Sequence, residues 1–138
     1  MALVVDTGPL YASLDRMDAD YERCRRTLED TTEPIVIPAP VLVEVAYFIE
    51  RRLSVAALSV FLSDISSGAF LVEDLVPADY ARASALCAQY ADSRIGFVDA
   101  AVLAVIEWLN EPKLATLDRR HFGMLRPRHV NALRLLPE

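Results

Sequence analysis

The sequence predicts an α/β domain: a central, mostly parallel sheet of four to five short strands flanked by helices. Three observations carry this reading. Short apolar or β-branched runs such as Leu3–Val5, Ile35–Ile37 and Leu114–Leu117 recur along the chain. Between them lie segments long enough for helices, bounded by Pro, Gly, Ser and Asp. Helix-length segments also outweigh strand-length ones. Strands that alternate with helices are joined by crossovers, and crossovers produce parallel pairing.

The elements follow in order. Ala2–Asp6 is a continuous apolar run of the kind buried on both faces of a parallel sheet. Gly8-Pro9 is expected to break it, with a short helix over Leu10–Leu14. Asp18 could cap a helix running to Glu29, with Tyr21, Cys24 and Leu28 on one face. Ile35–Ile37 reads as a second strand. Pro40 suits the first position of a helix that runs to about Arg52. Ser54 caps a further helix over Val55–Ile65, and Gly68 ends it. Phe70–Glu73 is a third strand, and Pro77 opens a helix through Tyr90. Val98–Leu109 is the next helix, closed by Asn110 and Pro112. Leu114–Leu117 is a fourth strand and Leu133–Leu136 a possible fifth.

Residues 1–138 fit one domain. Hydrophobic residues make up 54% of the chain and mean hydropathy is +0.26, which excludes an intrinsically disordered chain. The longest purely apolar run, Ala100–Ile106, is too short to span a bilayer, so no membrane association is expected. Met1 leads into the first strand without a basic segment, so no signal peptide is expected. Cys24 and Cys87 stand alone, with no zinc spacing, and suit a reducing cytoplasm. The net charge of −6 argues against a simple nucleic-acid-coating protein. The charge is uneven, however. Residues 1–111 hold 8 Arg against 18 acids, whereas residues 112–138 hold 5 Arg and 1 Lys against 2 acids. An acidic site beside a basic strip is the expectation.

Four carboxylates stand where a solvated surface does not place them. Asp6 and Asp118 follow the runs Ala-Leu-Val-Val and Leu-Ala-Thr-Leu, at the carboxyl edge of the expected sheet, where α/β proteins carry their sites. Glu44 interrupts the apolar helix Val41–Ile49 on its rim. Asp99 shares a helical stripe with Val102, Leu103 and Ile106. Singly, each has a plain structural role open to it: Asp6 as a helix cap, Glu44 as a solvated side chain, Asp118 as an N-cap for Arg119–Phe122. Together they would be costly to bury and would repel one another. A divalent cation offsets both effects, and an oxygen-only donor set selects Mg²⁺ or Mn²⁺. Thr7 and Thr116 add hydroxyls, Thr116 facing the same way as Asp118 if both lie on the strand. Neither His121 nor His129 has a neighbour in sequence that makes it a base. His121 is expected to pack or to touch nucleic acid, and His129 to be exposed.

The same residues resemble PIN-domain ribonucleases of the VapC toxin group, from bacterial toxin–antitoxin pairs. The matching segments are Leu3-Val4-Val5-Asp6-Thr7-Gly8-Pro9-Leu10, Pro40-Val41-Leu42-Val43-Glu44-Val45 and Tyr90-Ala91-Asp92. After these come Phe97-Val98-Asp99-Ala100-Ala101, Leu114-Ala115-Thr116-Leu117-Asp118-Arg119-Arg120-His121-Phe122 and Leu133–Pro137. They span nearly the whole chain. The resemblance implies a single PIN domain over 1–138 and a metal-dependent endoribonuclease acting on cellular RNA. Asp6, Glu44, Asp99 and Asp118 become a catalytic quartet around Mg²⁺ or Mn²⁺, with Asp6 and Asp99 the most direct ligands and Thr116 in support. Gly8 departs from the Ser or Asn of many relatives, and Asp92 reads as a loop or cap residue. Arg119, Arg120, Arg126 and Arg128 are candidates to track the RNA backbone. The implied partners are a homodimeric second copy and an antitoxin. The antitoxin would lie in an apolar groove near Tyr11, Val41 and Phe48 and send a basic C-terminal segment into the quartet. Two alternatives stay open: a PIN nuclease of RNA processing, and a silent scaffold that binds RNA or a partner. A receiver-type signalling domain fits poorly. Asp6 lacks an acidic neighbour, and the only Lys, Lys113, precedes its strand.

Overall fold

Five parallel strands in the order β3-β2-β1-β4-β5 form one sheet in the computed structural model, which describes residues 1–138. The strands are β1 (Leu3–Val5), β2 (Ile35–Pro38), β3 (Phe70–Glu73), β4 (Lys113–Ala115) and β5 (Arg134–Leu136). Central β1 pairs with β2 through Leu3 and Ile35 and with β4 through Val4 and Leu114. All three residues of β1 are buried, as a strand covered on both faces must be. The strand order turns at β1: the chain winds outward through β2 and β3, then returns to lay β4 and β5 on the other side. The reversal opens a crevice beyond the carboxyl ends of β1 and β4.

Seven helices connect the strands: α1 (Thr7–Ala12), α2 (Tyr21–Asp30), α3 (Ala39–Arg52), α4 (Val55–Ser66), α5 (Pro77–Gln89), α6 (Phe97–Leu109) and α7 (Arg119–Met124). Ala100 to Ile106 are all buried, so the middle of α6 is enclosed on every side, with exposed Phe97 and Trp108 toward its two ends. It packs along α5, and α1 packs against α3. Ser54 caps α4, its Oγ accepting the Ala57 N–H at 3.1 Å, and Gly68 ends the segment at φ +86°. Asn110 closes α6 in the left-handed conformation at φ 56°.

Several expected boundaries move. Gly8-Pro9 does not separate β1 from a later helix, because α1 starts at Thr7. Pro9 lies in the first turn, where its missing N–H is no loss. Asp18 does not cap α2. Its Oδ1 accepts the Asp20 N–H at 2.9 Å, which shapes the preceding turn, and the helix begins at Tyr21. Pro40 sits at the second helical position of α3, after Ala39. β4 ends at Ala115, so Thr116 and Asp118 lie in the connection beyond the strand and share no strand face. Tyr11 and Val41, expected on a groove rim, are core residues at 5% and 0% exposure. Amphipathic spacing alone did not reveal that α1 and α3 bury these faces against each other.

Candidate active site

Each acid arrives by a different element. Asp6 directly follows β1 and stands at the N-cap of α1, yet its side chain makes no cap bond. Glu44 projects from the middle of α3 and Asp99 from the first turn of α6. Asp118 precedes α7 and caps it, its Oδ1 accepting the His121 N–H at 3.0 Å. The reversal in strand order brings these four elements together. Asp6, Thr7, Gly8, Glu44, Asp99, Leu117 and Asp118 line one cleft of about 490 Å³. The N-cap role open to Asp118 from sequence is therefore real, and the same side chain also faces the cleft.

Asp6 is the most buried of the four, at 6% exposure. Thr116 Oγ1 donates to its Oδ2 at 2.8 Å and accepts the Asp118 N–H at 3.0 Å. Thr116 thereby links the acids after β1 and β4. Burial pushes the Asp6 carboxyl up to about 6, the nearby charges of Asp99 and Glu44 add to the rise, and bonds from Thr7 and Thr116 oppose it. Asp99 is raised too, by burial first and then by the charge of Asp118, with His121 opposing. None of the four acids forms an ion pair with a Lys or Arg. Thr7 lines the same cleft, and its hydroxyl is buried without a hydrogen-bond partner.

His121 is the residue that sequence reasoning missed. Its Nδ1 lies 3.0 Å from Asp99 Oδ2 and 2.9 Å from Asp118 Oδ2, between the two carboxylates. The available signal was its position three residues after a helix-capping Asp, which turns its side chain back toward that cap. The partnership with Asp99 could not be read, because 22 residues separate them. His129 is half-buried rather than exposed. It holds the backbone carbonyl of Glu111 through Nε2 at 2.5 Å.

The four arginines do not form one track. Arg119 and Arg120 begin α7 beside Asp118, and the Arg119 guanidinium donates to the Pro137 carbonyl. Arg126 and Arg128 lie after α7, their backbone N–H groups donating to Tyr90 Oη and Glu107 Oε2. Glu107 is eight residues beyond Asp99 on α6, about 12 Å along the helix axis. Asp92 is exposed in a 3₁₀ turn, Ala91–Ser93, outside the cleft.

A buried Asp6 and a half-buried Asp99 whose carboxyls are both raised, oxygen donors with no Lys or Arg partner and an unpartnered threonine hydroxyl fit a hard divalent cation. With such an ion, the cleft has the parts to activate water and shield a phosphate.

Solved structures share the architecture. VapC20 of Mycobacterium tuberculosis, described as a sarcin-ricin loop cleaving toxin, superposes with a TM-score of 0.79 at 20% identity, covering 94% of this chain and 98% of that one. A VapBC2 complex from Rickettsia felis bound to a fragment of its promoter DNA gives a TM-score of 0.70 at 18% identity, covering 98% and 97%. In sequence, ribonuclease VapC26 of M. tuberculosis is 29% identical over 125 residues, 91% of this chain and 93% of the relative. The PIN domain family model matches residues 3–124. That match runs from β1 through α7 and takes in all four cleft carboxylates, and on it this chain belongs to the PIN domain family.

Proposed function

We propose that the protein is a Mg²⁺- or Mn²⁺-dependent endoribonuclease, the toxin of a type II toxin–antitoxin pair, cleaving single-stranded or structured cellular RNA (tRNA, rRNA or mRNA). One observation carries the reading: four carboxylates from four separate elements meet in one cleft without a Lys or Arg partner. The similarity to a ribonuclease VapC over nine-tenths of the chain supports it.

In this mechanism Asp6, Asp99, Glu44 and Asp118 would hold the ion, which would supply water activation and charge relief at the scissile phosphate. Thr116 orients Asp6 through its 2.8 Å bond and ties Asp118 to the same geometry through its backbone. Arg120, exposed in the first turn of α7, is placed to meet a flanking phosphate.

The partners in this reading are an antitoxin and a second copy. A basic C-terminal segment of the antitoxin enters the acidic cleft, where an Arg would pair with the carboxylates. The apolar surface beside the cleft differs from the expected one. Pro40, Val43, Tyr47, Tyr80 and Phe97 line a depression of about 990 Å³ that meets the cleft at Glu44. Val43 and Tyr80, at 70% and 55% exposure, give this face the character of a surface that a partner covers. No helix is long and apolar enough to cross a membrane, in keeping with a cytoplasmic enzyme.

The test is cleavage of a mixed RNA pool by purified protein, with and without EDTA. Cleavage that stops with EDTA and returns on adding Mn²⁺ or Mg²⁺ is expected. Equal cleavage in both would remove the metal from the mechanism.

A further inference from the structure

We propose that His121 Nδ1 is a direct ligand of the divalent ion beside Asp99 and Asp118, giving this centre a nitrogen donor and a preference for Mn²⁺ over Mg²⁺. The inference rests on the metal-dependent reading above and goes beyond the oxygen-only centre expected from the sequence.

The geometry comes first. One ligand atom from each of Asp99, Asp118 and His121 lies within 4.8 Å of the other two. His121 Nδ1 stands 3.0 Å from Asp99 Oδ2 and 2.9 Å from Asp118 Oδ2. Ligands that are neighbours on an octahedron with bonds of ~2.1 Å stand ~3.0 Å apart, which is the same spacing. Nδ1 has a single bonding direction. One proton on it can point between two carboxylates but cannot serve both well. A cation at the centre of the three donors serves all of them.

The ring is also held in advance. Asp118 divides its oxygens: Oδ1 accepts the His121 N–H and starts α7, and Oδ2 faces the ring. The backbone thus fixes where the imidazole leaves the helix. Its one remaining polar interaction is with Asp99. An independent observation points to an occupant of the cleft. Thr7, a residue of the cleft lining, is 9% exposed and its hydroxyl is buried without a partner; a ligand entering beside it would supply one.

The donor type sets the selectivity. Mg²⁺ holds its oxygen shell tightly and accepts nitrogen reluctantly, whereas Mn²⁺, also suited by carboxylates, begins the transition series whose affinity for nitrogen donors rises from it. Adding one nitrogen to a carboxylate set therefore favours Mn²⁺.

The deciding measurement is pulsed EPR of the full-length protein loaded with Mn²⁺. A ¹⁴N coupling is expected, converting to ¹⁵N when only histidine is ¹⁵N-labelled. His121→Gln should abolish the coupling, while His129→Gln, far from the cleft at Glu111, should retain it. By calorimetry His121→Gln should weaken Mn²⁺ by about tenfold or more and Mg²⁺ by much less, since even an outer partner of a ligand is worth ~10–100-fold. Mn²⁺ that binds without a ¹⁴N coupling, or a coupling that survives His121→Gln, overturns the proposal and leaves the carboxylate centre standing. Absence of Mn²⁺ binding overturns both.

Discussion

The two ends of the sheet both bury carboxylates, and they treat them in opposite ways. At the amino end, Glu111 is 5% exposed, its Oε1 accepts the Ala2 N–H at 2.7 Å, and Lys113 Nζ lies 4.0 Å from its other oxygen. Lys113 also meets Glu33 at 2.5 Å. At the carboxyl end, Asp6 is 6% exposed beside Glu44, Asp99 and Asp118, and no Lys or Arg approaches. Burial of a charge is therefore not the mark of a site in this protein. The mark is burial without compensation. At the amino end Lys113 and the Ala2 N–H are built into the fold as partners, although Glu111 Oε2 itself accepts no hydrogen bond. At the carboxyl end the compensating charge is left for something that binds.

The largest effect expected from this contrast is on Asp6→Asn and Asp99→Asn. Each removes ligand charge worth several kcal/mol in the transition state, so RNA cleavage should fall by on the order of 10²–10⁴. The metal-free fold should respond in the opposite direction. In the folded protein Asp6 holds its proton up to about 6, against 3.8 for an ordinary aspartate. The folded state thus binds the proton more tightly than the unfolded chain, and the contribution of Asp6 to stability declines as pH rises from about 4 through 6. Asp99 shifts in the same direction. Asp6→Asn should remove that decline, raising stability at pH 7 by about 3 kcal/mol in EDTA. Urea unfolding at pH 5 and pH 7 measures it. A destabilised Asp6→Asn at pH 7 would break the comparison.

The mirror-image prediction concerns the amino end. Glu111→Ala strands the Ala2 N–H and leaves Lys113 with Glu33 alone, so stability should fall by about 1–3 kcal/mol. Turnover per folded molecule and Mn²⁺ affinity should stay at their original values. A loss of metal affinity here would show that the two ends are coupled rather than separate.

The smallest effect is expected on the basic segment. Replacing Arg119, Arg120, Arg126 and Arg128 with Gln should weaken RNA binding and flatten its salt dependence by ~0.7 for each phosphate no longer neutralised. Metal affinity should be unaffected. Arg120→Gln should account for the greatest single share, because Arg119 is engaged with Pro137 and Arg128 follows a backbone held at Glu107. An unchanged salt slope assigns the four to ordinary surface.

Much of this was legible in the sequence. β3 falls on Phe70–Glu73 as expected, the Ser54 cap and the Gly68 stop are where propensity places them, and the strand–helix alternation forces a parallel sheet. These features are local: a few residues decide each through periodicity, capping and left-handed turns. The four acids stood out for a related reason, since a charge on an apolar stripe or at a strand end breaks a local pattern. Boundaries were less legible where two local signals competed, as at Gly8-Pro9, where a breaker is also a good first-turn pair.

Tertiary structure alone decided which charges meet. The strand order places Asp6 beside the segment after β4, so Thr116 can join Asp6 to Asp118 across 110 residues. The placing of His121 beside the first turn of α6 gave it a second carboxylate, and packing of α1 against α3 withdrew Tyr11 and Val41 from the surface. Lys113 found Glu33 and Glu111 at one end of the sheet, and no Lys or Arg pairs with the acids at the other. Sequence shows a carboxylate that is out of place because that is a property of its near neighbours. Whether it is compensated depends on groups brought from far along the chain, and that is settled only when the sheet closes.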